Sequence, residues 1–470
     1  MTHRPIPLLL LLTLSLALPA TARAEDHAEN VGSGPFATGP DVTRKCLECH
    51  EDSAESFLKS VHWTWSRSQV VDGRTVSYGK KNAVNNFCMA VPSNWARCTS
   101  CHAGYGWKDD GFDFTRAENI DCLVCHDTTG TYRKFPTGAG HPVYAGETKE
   151  FPKGKPWPAV DLVRVAQSVG SPTRAACGSC HFYGGGGDHV KHGDLDSSLI
   201  QPTRDVDVHM GGEGMTCVDC HRGDDHGIRG EALSVSTGTG KRTMGCTDCH
   251  EPDLHKRVIL DRHARKIACQ TCHIPSYANN HPTLVWWDWS TAGRDVPPEG
   301  APKDGFGMKT YDRMKGDFRW GRRLIPTYAW FSGRVDRVML EDRIDPADVV
   351  RLSAPRGDRK DPNAKIWPFK VMRGKQPYDV DRNAMVAVNT FGPDGYWTKY
   401  DWNLAIAVGQ KAAGQPYSGK YGFVETSMVW ALNHMVAPKE KALKCTACHG
   451  SKSRLDWKAL GYPRDPMKKY

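Results

Sequence analysis

Hydrophobic residues in this chain form few long periodic runs, and the clearest apolar stretch stands near the N-terminus. Arg4 precedes an unbroken series of apolar and weakly polar residues, 6–18, which is followed by Ala22-Arg23-Ala24. A basic start, an apolar centre and a small-x-small end are typical of a secretory signal peptide, and this centre is too short to span a bilayer. We therefore predict that residues 1–24 are removed on export to the periplasm.

Beyond the signal, apolar patterns are short. No later segment has 18 consecutive apolar residues, so we expect no stable membrane insertion. Helical patterns occur at 347–352, 404–413 and 424–436, and they are separated by loops rich in Gly and Pro. The pattern predicts a mainly α protein with extensive loops and little β-structure.

The composition provides few side chains for an ordinary core. Gly (46) and Pro (30) are frequent among the 470 residues, and hydrophobic residues make up only 39 % of them. Because burial of apolar surface is the main favourable term in folding, a further apolar component is needed to fill the interior.

The cysteines indicate what this component is. Sixteen of the 17 cysteines stand in the motif Cys-x-x-Cys-His, which occurs eight times. Two thiols at this spacing can each bond one vinyl group of a porphyrin, while the adjacent histidine ligates its iron, so the motif indicates c-type haem attachment. The attachment residues are Cys46, Cys49 and His50; Cys98, Cys101 and His102; Cys122, Cys125 and His126; Cys177, Cys180 and His181; Cys217, Cys220 and His221; Cys246, Cys249 and His250; Cys269, Cys272 and His273; and Cys445, Cys448 and His449.

Other uses of these cysteines fit the motif less well. A structural zinc site needs four ligands, and each motif offers three. A dithiol or disulfide pair gives no reason for a histidine after every second cysteine. We therefore predict eight covalently bound haem c groups, each with one iron, in a multihaem cytochrome c whose stacked haems form the core.

The spacing of the motifs divides the mature chain. It is irregular, which argues against a tandem repeat array. Residues 25–280 form a haem-dense region with seven motifs, and residues 445–470 carry the eighth motif and the C-terminal tail. Residues 281–444 are haem-free and rich in aromatic residues. We expect this segment to wrap the haem stack rather than to fold independently.

The formal charge of +9 raises the question of a polyanionic partner. Haem propionates would offset most of this charge, and the lysines and arginines can pair with them. We therefore expect no nucleic-acid partner.

The chain has 20 histidines, and the eight motifs use eight of them. Each motif histidine is the predicted proximal ligand of its haem, and seven others near motifs are the predicted distal ligands: His62, His192, His209, His226, His255, His263 and His434. His27, His141, His189 and His281 are reserves. Seven distal histidines for eight irons leave one iron able to exchange a ligand, whereas use of the reserves would close all eight.

The chain resembles the octahaem tetrathionate reductase family of periplasmic multihaem cytochromes over essentially its whole mature length. The resemblance rests on the eight motifs, on the extra cysteine in Asn86-Phe87-Cys88-Met89, and on the glycine-rich stretch 184–192. It implies that seven haems have two histidine ligands. It also implies that the second-motif haem, on His102, has a lysine as distal ligand, with an aspartate and a cysteine nearby.

By position, the family's three residues correspond to Lys191, Asp188 and Cys88, which with His102 are the candidate catalytic residues. Lys149, Lys153 and Lys155 also lie between the third and fourth motifs and remain alternatives for the lysine.

The chemistry of this group is reasonable without the family. A lysine ligates iron only as a neutral amine, and protonation would release it and open a position for substrate. Asp188 stands three residues before Lys191, on the same face if the segment is a helical turn, and could exchange that proton. The ordinary alternatives are a propionate salt bridge for Lys191 and a cap or turn for Asp188.

Cys88 is the one cysteine outside the motifs. Near a cationic iron its pKa would fall, and the thiolate could attack the central S–S bond of tetrathionate. The ordinary alternative is a small buried hydrophobic residue.

These features predict a periplasmic reductase that passes electrons along seven haems to a catalytic one. Its substrates would be tetrathionate and, as alternatives, nitrite or hydroxylamine, and its partner a periplasmic or membrane-bound electron donor. Two other functions stay open: a non-catalytic electron carrier in which every haem has two histidines, and a hydroxylamine-type oxidoreductase.

Overall fold

A computed structural model describes residues 24–71, 73–231, 235–238 and 244–468. The predicted signal peptide lies outside this part of the chain except for Ala24. Within it, no helix is long and apolar enough to cross a membrane.

The helices are short, the longest of those described having 11 residues. In chain order they are α1 (Ala24–Val31), α2 (Gly39–Leu47), α3 (Glu51–Leu58), α4 (Val61–Thr64), α5 (Trp95–Cys98), α6 (Leu123–His126), α7 (Leu162–Gln167), α8 (Arg174–His181), α9 (Cys217–Cys220), α10 (Val258–Ala264), α11 (Cys269–His273), α12 (Tyr396–Lys399), α13 (Trp402–Ala412) and α14 (Cys445–Cys448). Single 3₁₀ turns lie at Thr99–Cys101, Ala117–Asn119, Ser197–Leu199, Cys246–Asp248, Trp289–Thr291, Pro298–Gly300 and Lys439–Lys441, and a π turn at Val208–Gly212.

The Cys-x-x-Cys-His motifs account for many of these short helices, because each motif forms about one helical turn. In five motifs the histidine N–H donates to the carbonyl of the first cysteine over 2.9–3.1 Å, at His50, His126, His221, His250 and His449. The turn places residues three apart on one side, which brings both thiols to the same face.

Strands are more extensive than predicted. They are β1 (Arg67–Val71), β2 (Arg74–Tyr78), β3 (Lys149–Glu150), β4 (Pro156–Trp157), β5 (Gly223–Asp224), β6 (Gly227–Ile228), β7 (Thr283–Asp288), β8 (Tyr311–Asp312), β9 (Gly316–Gly321), β10 (Thr327–Phe331), β11 (Val335–Arg337), β12 (Val350–Arg351), β13 (Ser353–Pro355), β14 (Lys365–Asp379), β15 (Ala384–Met385) and β16 (Tyr421–Ala431).

One eight-stranded sheet dominates the haem-free segment. Its order is β12-β16-β14-β7-β9-β8, with β10 and β15 also paired to β14. Strand β14 has 15 residues and pairs antiparallel with β16 from Phe369↔Ala431 to Asp379↔Tyr421. It also pairs parallel with β7, so β14 is the centre of the sheet.

The sheet corrects three predictions. Little β-structure was expected, yet residues 283–431 are organised around this sheet. The helix predicted at 424–436 is wrong, because strand β16 runs to Ala431 and buries every second residue from Val424 to Trp430. This is the period of a strand, and its β-branched and aromatic residues suit one. The helix predicted at 347–352 is also wrong, since Val350–Arg351 forms β12. The one at 404–413 is confirmed as α13.

The largest described hydrophobic cluster lies between the sheet and α13, so the protein supplies a core of its own beside any haem. Trp287 and Trp289 stack there at 4.6 Å between ring centroids, and Met372 and Met428 are fully buried. Phe87, from the haem-dense region, packs against the same cluster.

Asn94 joins the second motif to the haem-free segment. This side chain, 1 % exposed, stands just before α5, donates to the Val388 carbonyl over 2.7 Å, and accepts from the N–H groups of Thr390 (2.8 Å) and Phe391 (3.1 Å). Val388 and Thr390 are buried as well, so solvent cannot readily replace these hydrogen bonds.

We therefore expect Asn94→Leu to lower the free energy of unfolding by roughly 3 kcal/mol, because buried peptide groups of 388–391 lose their partner. Guanidinium denaturation of the haem-loaded protein, followed by far-UV circular dichroism, measures the change. Asn363→Leu, at an exposed loop position, is the control. Equal midpoints for the two variants would contradict the prediction.

Candidate functional site

Pairs of imidazole rings are the clearest feature of the haem-dense region. In five pairs within the described residues, a motif histidine lies 5.9–6.4 Å, between ring centroids, from a histidine outside the motifs. Metal–imidazole bonds of about 2 Å on both sides of one iron separate ring centroids by roughly 6 Å. The arrangement therefore fits two-histidine ligation. The pairs are His181 with His62, His126 with His226, His250 with His209, His221 with His434, and His449 with His263.

The second nitrogen of many of these rings is held by the protein. A ligating histidine commonly bonds its other nitrogen to a carbonyl or carboxylate, which fixes the ring. Such Nδ1 contacts occur here for His126 with the Gly170 carbonyl (2.9 Å), His221 with the Arg229 carbonyl (2.9 Å), His449 with Asp465 (2.6 Å), His226 with the Ser56 hydroxyl (3.1 Å), His434 with Asp194 (3.3 Å) and His255 with Asp261 (2.7 Å). In each ring Nε2 is the nitrogen left to ligate a metal.

The remaining predicted distal ligands lie elsewhere. Burial lowers the pKa of His273 in the seventh motif, and the nearby His255 lowers the pKa of His273 further. His255 therefore lies close to the seventh motif. His192 is not paired with a motif ring among the described contacts, and burial holds its pKa far below the usual range beside Lys191.

The reserve histidines differ among themselves. His189 and His281 stack on each other at 5.2 Å, and His141 stacks on Tyr105 at 5.4 Å. Nδ1 of His27 is buried without a hydrogen-bond partner among the described residues, as a free ligand would be. Its helix α1 packs on α7, which also contacts α2, the helix of the first motif.

The motifs adjoin one another in space, but not in chain order. Thiol contacts join the first motif to the third (Cys46–Cys122), the second to the fourth (Cys101–Cys180) and the fourth to the fifth (Cys177–Cys217). Cys125 lies near Cys177, Cys220 near Cys249, and Cys272 near Cys448. The fourth motif thus adjoins the second, third and fifth.

The second motif has a distinct environment. His102 is completely buried among the rings of Trp63, Trp65, Trp107, Phe112 and Phe114, at centroid distances of 4.9–6.2 Å. Burial lowers its pKa to about 3, so the ring is neutral. Nε2 donates to the Trp63 carbonyl over 2.7 Å, and Nδ1 is buried without a partner among the described residues. One ring nitrogen therefore remains able to ligate a metal.

Lys191 lies beside this motif. Burial, together with the nearby charges of Lys80 and Arg337, lowers the pKa of its amine to about 7, and the Cys101 thiol opposes this shift. The neutral amine, the form that ligates iron, is therefore readily available. The alternative lysines lie on the surface hairpin of β3 and β4, where Lys153 and Lys155 are exposed and Lys149 pairs with Glu147.

Three cations converge at this point. Lys80 Nζ lies 3.6 Å from the centre of the Trp65 ring, which is one wall of the His102 cage. Arg337 is 8 % exposed and donates to the Tyr78 hydroxyl and the Val84 carbonyl, both over 3.3 Å. With Lys191 they make the surroundings of the second motif electropositive.

Asp188 does not have the expected relation to Lys191. The segment 182–193 consists of turns, with positive φ at Gly185, Gly186 and His189, so the two residues do not share a helical face. Both Asp188 oxygens accept from Ser197, one from its N–H over 3.0 Å and the other from its hydroxyl. The turn role considered for Asp188 is the one its hydrogen bonds support.

Cys88 lies close to Cys98, the first cysteine of the second motif, so it is near the candidate site as expected. The expected thiolate is not supported by its surroundings. Burial raises the pKa of Cys88, and the opposing charges of Lys315 and Arg97 are too weak to reverse the shift. The side chain packs against the largest hydrophobic cluster.

A buried polar network beneath the second motif was missed from the sequence. Lys134 donates to the His102 carbonyl and lies 2.9 Å from Asp121, which also accepts from the hydroxyls of Tyr105 and Tyr132. One signal was available, because Asp121 directly precedes Cys122. Nothing in the sequence marks Lys134.

Known cytochromes c are similar to this chain. The chain is similar to an octahaem cytochrome c from Shewanella oneidensis, with 47 % identity and a TM-score of 0.86 over 94 % of this chain and 98 % of that one. Residues 284–452 match the family described as bacterial cytochrome c, and residues 203–274 that of cytochrome c7 and related cytochromes. An uncharacterised protein of Archaeoglobus fulgidus is 26 % identical over 39 % of this chain and 74 % of its own length.

The histidine pairs give a direct test. We expect His263→Ala to convert one low-spin ferric haem to a high-spin one, because it removes the imidazole facing His449. Electron paramagnetic resonance of the oxidised protein measures this. Arg262→Ala, an exposed neighbour on α10, should leave the spectrum unchanged. A purely low-spin spectrum for His263→Ala would contradict the pairing.

Proposed function

Because this chain belongs to the octahaem tetrathionate reductase family of multihaem c-type cytochromes, we propose that it reduces a small inorganic anion at one haem, fed with electrons by seven others. Haem c supplies one-electron transfer and, where a ligand can leave, a coordination position for substrate. One contrast carries the proposal. Five motif histidines face a second imidazole, whereas His102 faces aromatic rings and has a partly buried lysine beside its motif.

The ligand set follows from the contacts. We assign His62, His226, His434, His209 and His263 to the fourth, third, fifth, sixth and eighth motifs, each by its ring pair. His255 is assigned to the seventh, beside His273. The first takes His27, whose Nδ1 is buried without a described partner. Lys191 is then the distal residue of the second motif.

The polypeptide prepares this site for an anion. Lys80, Arg337 and Lys191 give it positive charge, and a partly enclosed cationic site attracts anions and raises their local concentration. Aromatic rings around His102 limit water on the other side. Lys191 would ligate a bound haem iron as a neutral amine, and protonation of that amine would free the iron for substrate.

Tetrathionate suits this site best. Its reduction takes up two electrons, breaks the central S–S bond and releases two thiosulfate ions, without consuming a proton. Nitrite and hydroxylamine need protons, and both oxygens of Asp188 are already engaged by Ser197. Because the Cys88 thiol is held protonated, we propose that S–S cleavage is driven by the incoming electrons and not by thiolate attack.

A non-catalytic electron carrier is the second candidate function, and His192 is the observation that favours it. It adjoins Lys191 in the chain and is partly buried in the same region. If its ring reaches the second-motif iron in place of the amine, all eight irons have two histidines. Near-infrared magnetic circular dichroism separates lysine from histidine ligation.

We further propose that the protein is exported to the periplasm after removal of residues 1–24, and that a periplasmic or membrane-bound protein donates its electrons.

Lys191→Met keeps the apolar stem and removes the amine. We expect tetrathionate turnover with a reduced dye as donor to fall at least about tenfold, as for loss of a group acting in the chemical step. The near-infrared band of the lysine-ligated haem should disappear in the same variant. Lys153→Met, at an exposed alternative lysine, is the control. Full turnover in Lys191→Met would refute the assignment.

A further inference from the structure

The sheet contains a buried lysine that the proposed chemistry does not use. Lys370 lies within β14, is 0 % exposed, and is bordered by the buried residues Phe369 and Met372. Its Nζ donates to the Lys191 carbonyl (2.8 Å), the Val190 carbonyl (3.1 Å) and the Thr283 hydroxyl (2.6 Å). A lysine amine donates through its N–H bonds in either charge state, and burial lowers the pKa of Lys370 well below its usual range.

Thr283 continues the same contact from the neighbouring strand. It is 0 % exposed and begins β7. Its hydroxyl oxygen lies 2.7 Å from the His189 carbonyl, 2.9 Å from that of His192 and 3.3 Å from that of Val190. It accepts from Lys370 and can donate its one proton to a carbonyl of this segment.

The two residues together meet every carbonyl from His189 to His192. Their pairing follows from the sheet, because β7 and β14 are parallel neighbours with Trp286 opposite Arg373. Lys370 and Thr283 each stand three residues before that pair. The register of the two strands therefore brings their side chains near each other. We call Lys370 and Thr283 the carbonyl clamp.

Burial of the clamp needs an explanation. Taking a lysine out of water is costly, and an apolar residue would serve packing better at the centre of a sheet. Segment 189–192 is irregular, with φ +53° at His189, and cannot satisfy its own carbonyls as a helix or strand would. The clamp supplies donors where the local backbone provides none.

We propose that Lys370 and Thr283 are positioning residues, which hold the backbone of 189–192 so that the Lys191 side chain is presented to the second motif. This inference rests on the proposed function of Lys191. Neither residue touches substrate in this scheme, since both act on carbonyl groups. The sheet of the haem-free segment would then determine where the Lys191 side chain lies relative to the second motif.

The test compares Lys370→Met and Thr283→Val, which keep side-chain size while removing the donors, in the full haem-loaded protein. Same-type controls are Lys375→Met on the same strand and Thr327→Val at an exposed site of β10. Thermal midpoint and haem content show that each variant is folded. Thr283→Val, which loses only a hydroxyl, keeps the test open if Lys370→Met fails to fold.

Three readouts are expected to change together. Hydrogen exchange of the peptide spanning 189–192 should be faster. The near-infrared band of the lysine-ligated haem should shift or disappear, while the bands of two-histidine haems persist. The value of kcat for tetrathionate should fall by at least about tenfold with little change in KM, as for a misplaced catalytic group. Thr283→Val should show the same changes to a smaller extent.

The outcomes separate the two proposals. Absence of a lysine-ligated band in the wild-type protein refutes the function of Lys191, whatever the clamp does. A wild-type band that persists unchanged in both folded clamp variants overturns the positioning role, even if hydrogen exchange is faster. Equal changes in the Lys375→Met control would also overturn it.

Discussion

The structure depends on holding two imidazole rings about 6 Å apart without their touching. Rings at this distance gain little from each other, so each must be fixed from behind by other groups. His449 is held by Asp465, His434 by Asp194, and His126 by the Gly170 carbonyl. Three of the six partners, Ser56, Gly170 and Asp194, come from distant parts of the chain and so tie separate segments of the chain together. The haem-dense region, poor in long helices, is ordered by such contacts.

The sheet fixes backbone segments by hydrogen bonds in the same way that other groups fix the histidine rings. Its centre packs an aromatic and methionine core, but at Lys370 it presents an amine hydrogen-bond donor to the carbonyls that follow Asp188. Asn94 links the start of α5 to 388–391 in a similar way. Both contacts join the haem-free segment to the surroundings of the second motif. The segment therefore shapes the candidate site as well as covering it.

Local chemistry was readable from the sequence, and long-range pairing was not. Cys-x-x-Cys-His identifies covalent haem attachment because all of its atoms lie within one turn. The histidines could be counted as ligands, but His434 meets His221 only through the fold. The helix predicted at 424–436 proved to be strand β16 as far as Ala431, because the same short apolar stretch fits either an amphipathic helix or a strand with one buried face. Lys370 resembled an ordinary strand lysine, since only the tertiary structure reveals its three acceptors.

The contacts among motif thiols determine which haems would be neighbours for electron transfer. The fourth motif adjoins the second, third and fifth. The motifs therefore form a branched arrangement with the fourth at the junction, and not a linear series. A side branch runs from this junction through the third motif to the first. In the proposed reductase, haems on such a side branch would store electrons within two transfers of the junction. A two-electron reduction would then not depend on a second encounter with the electron donor.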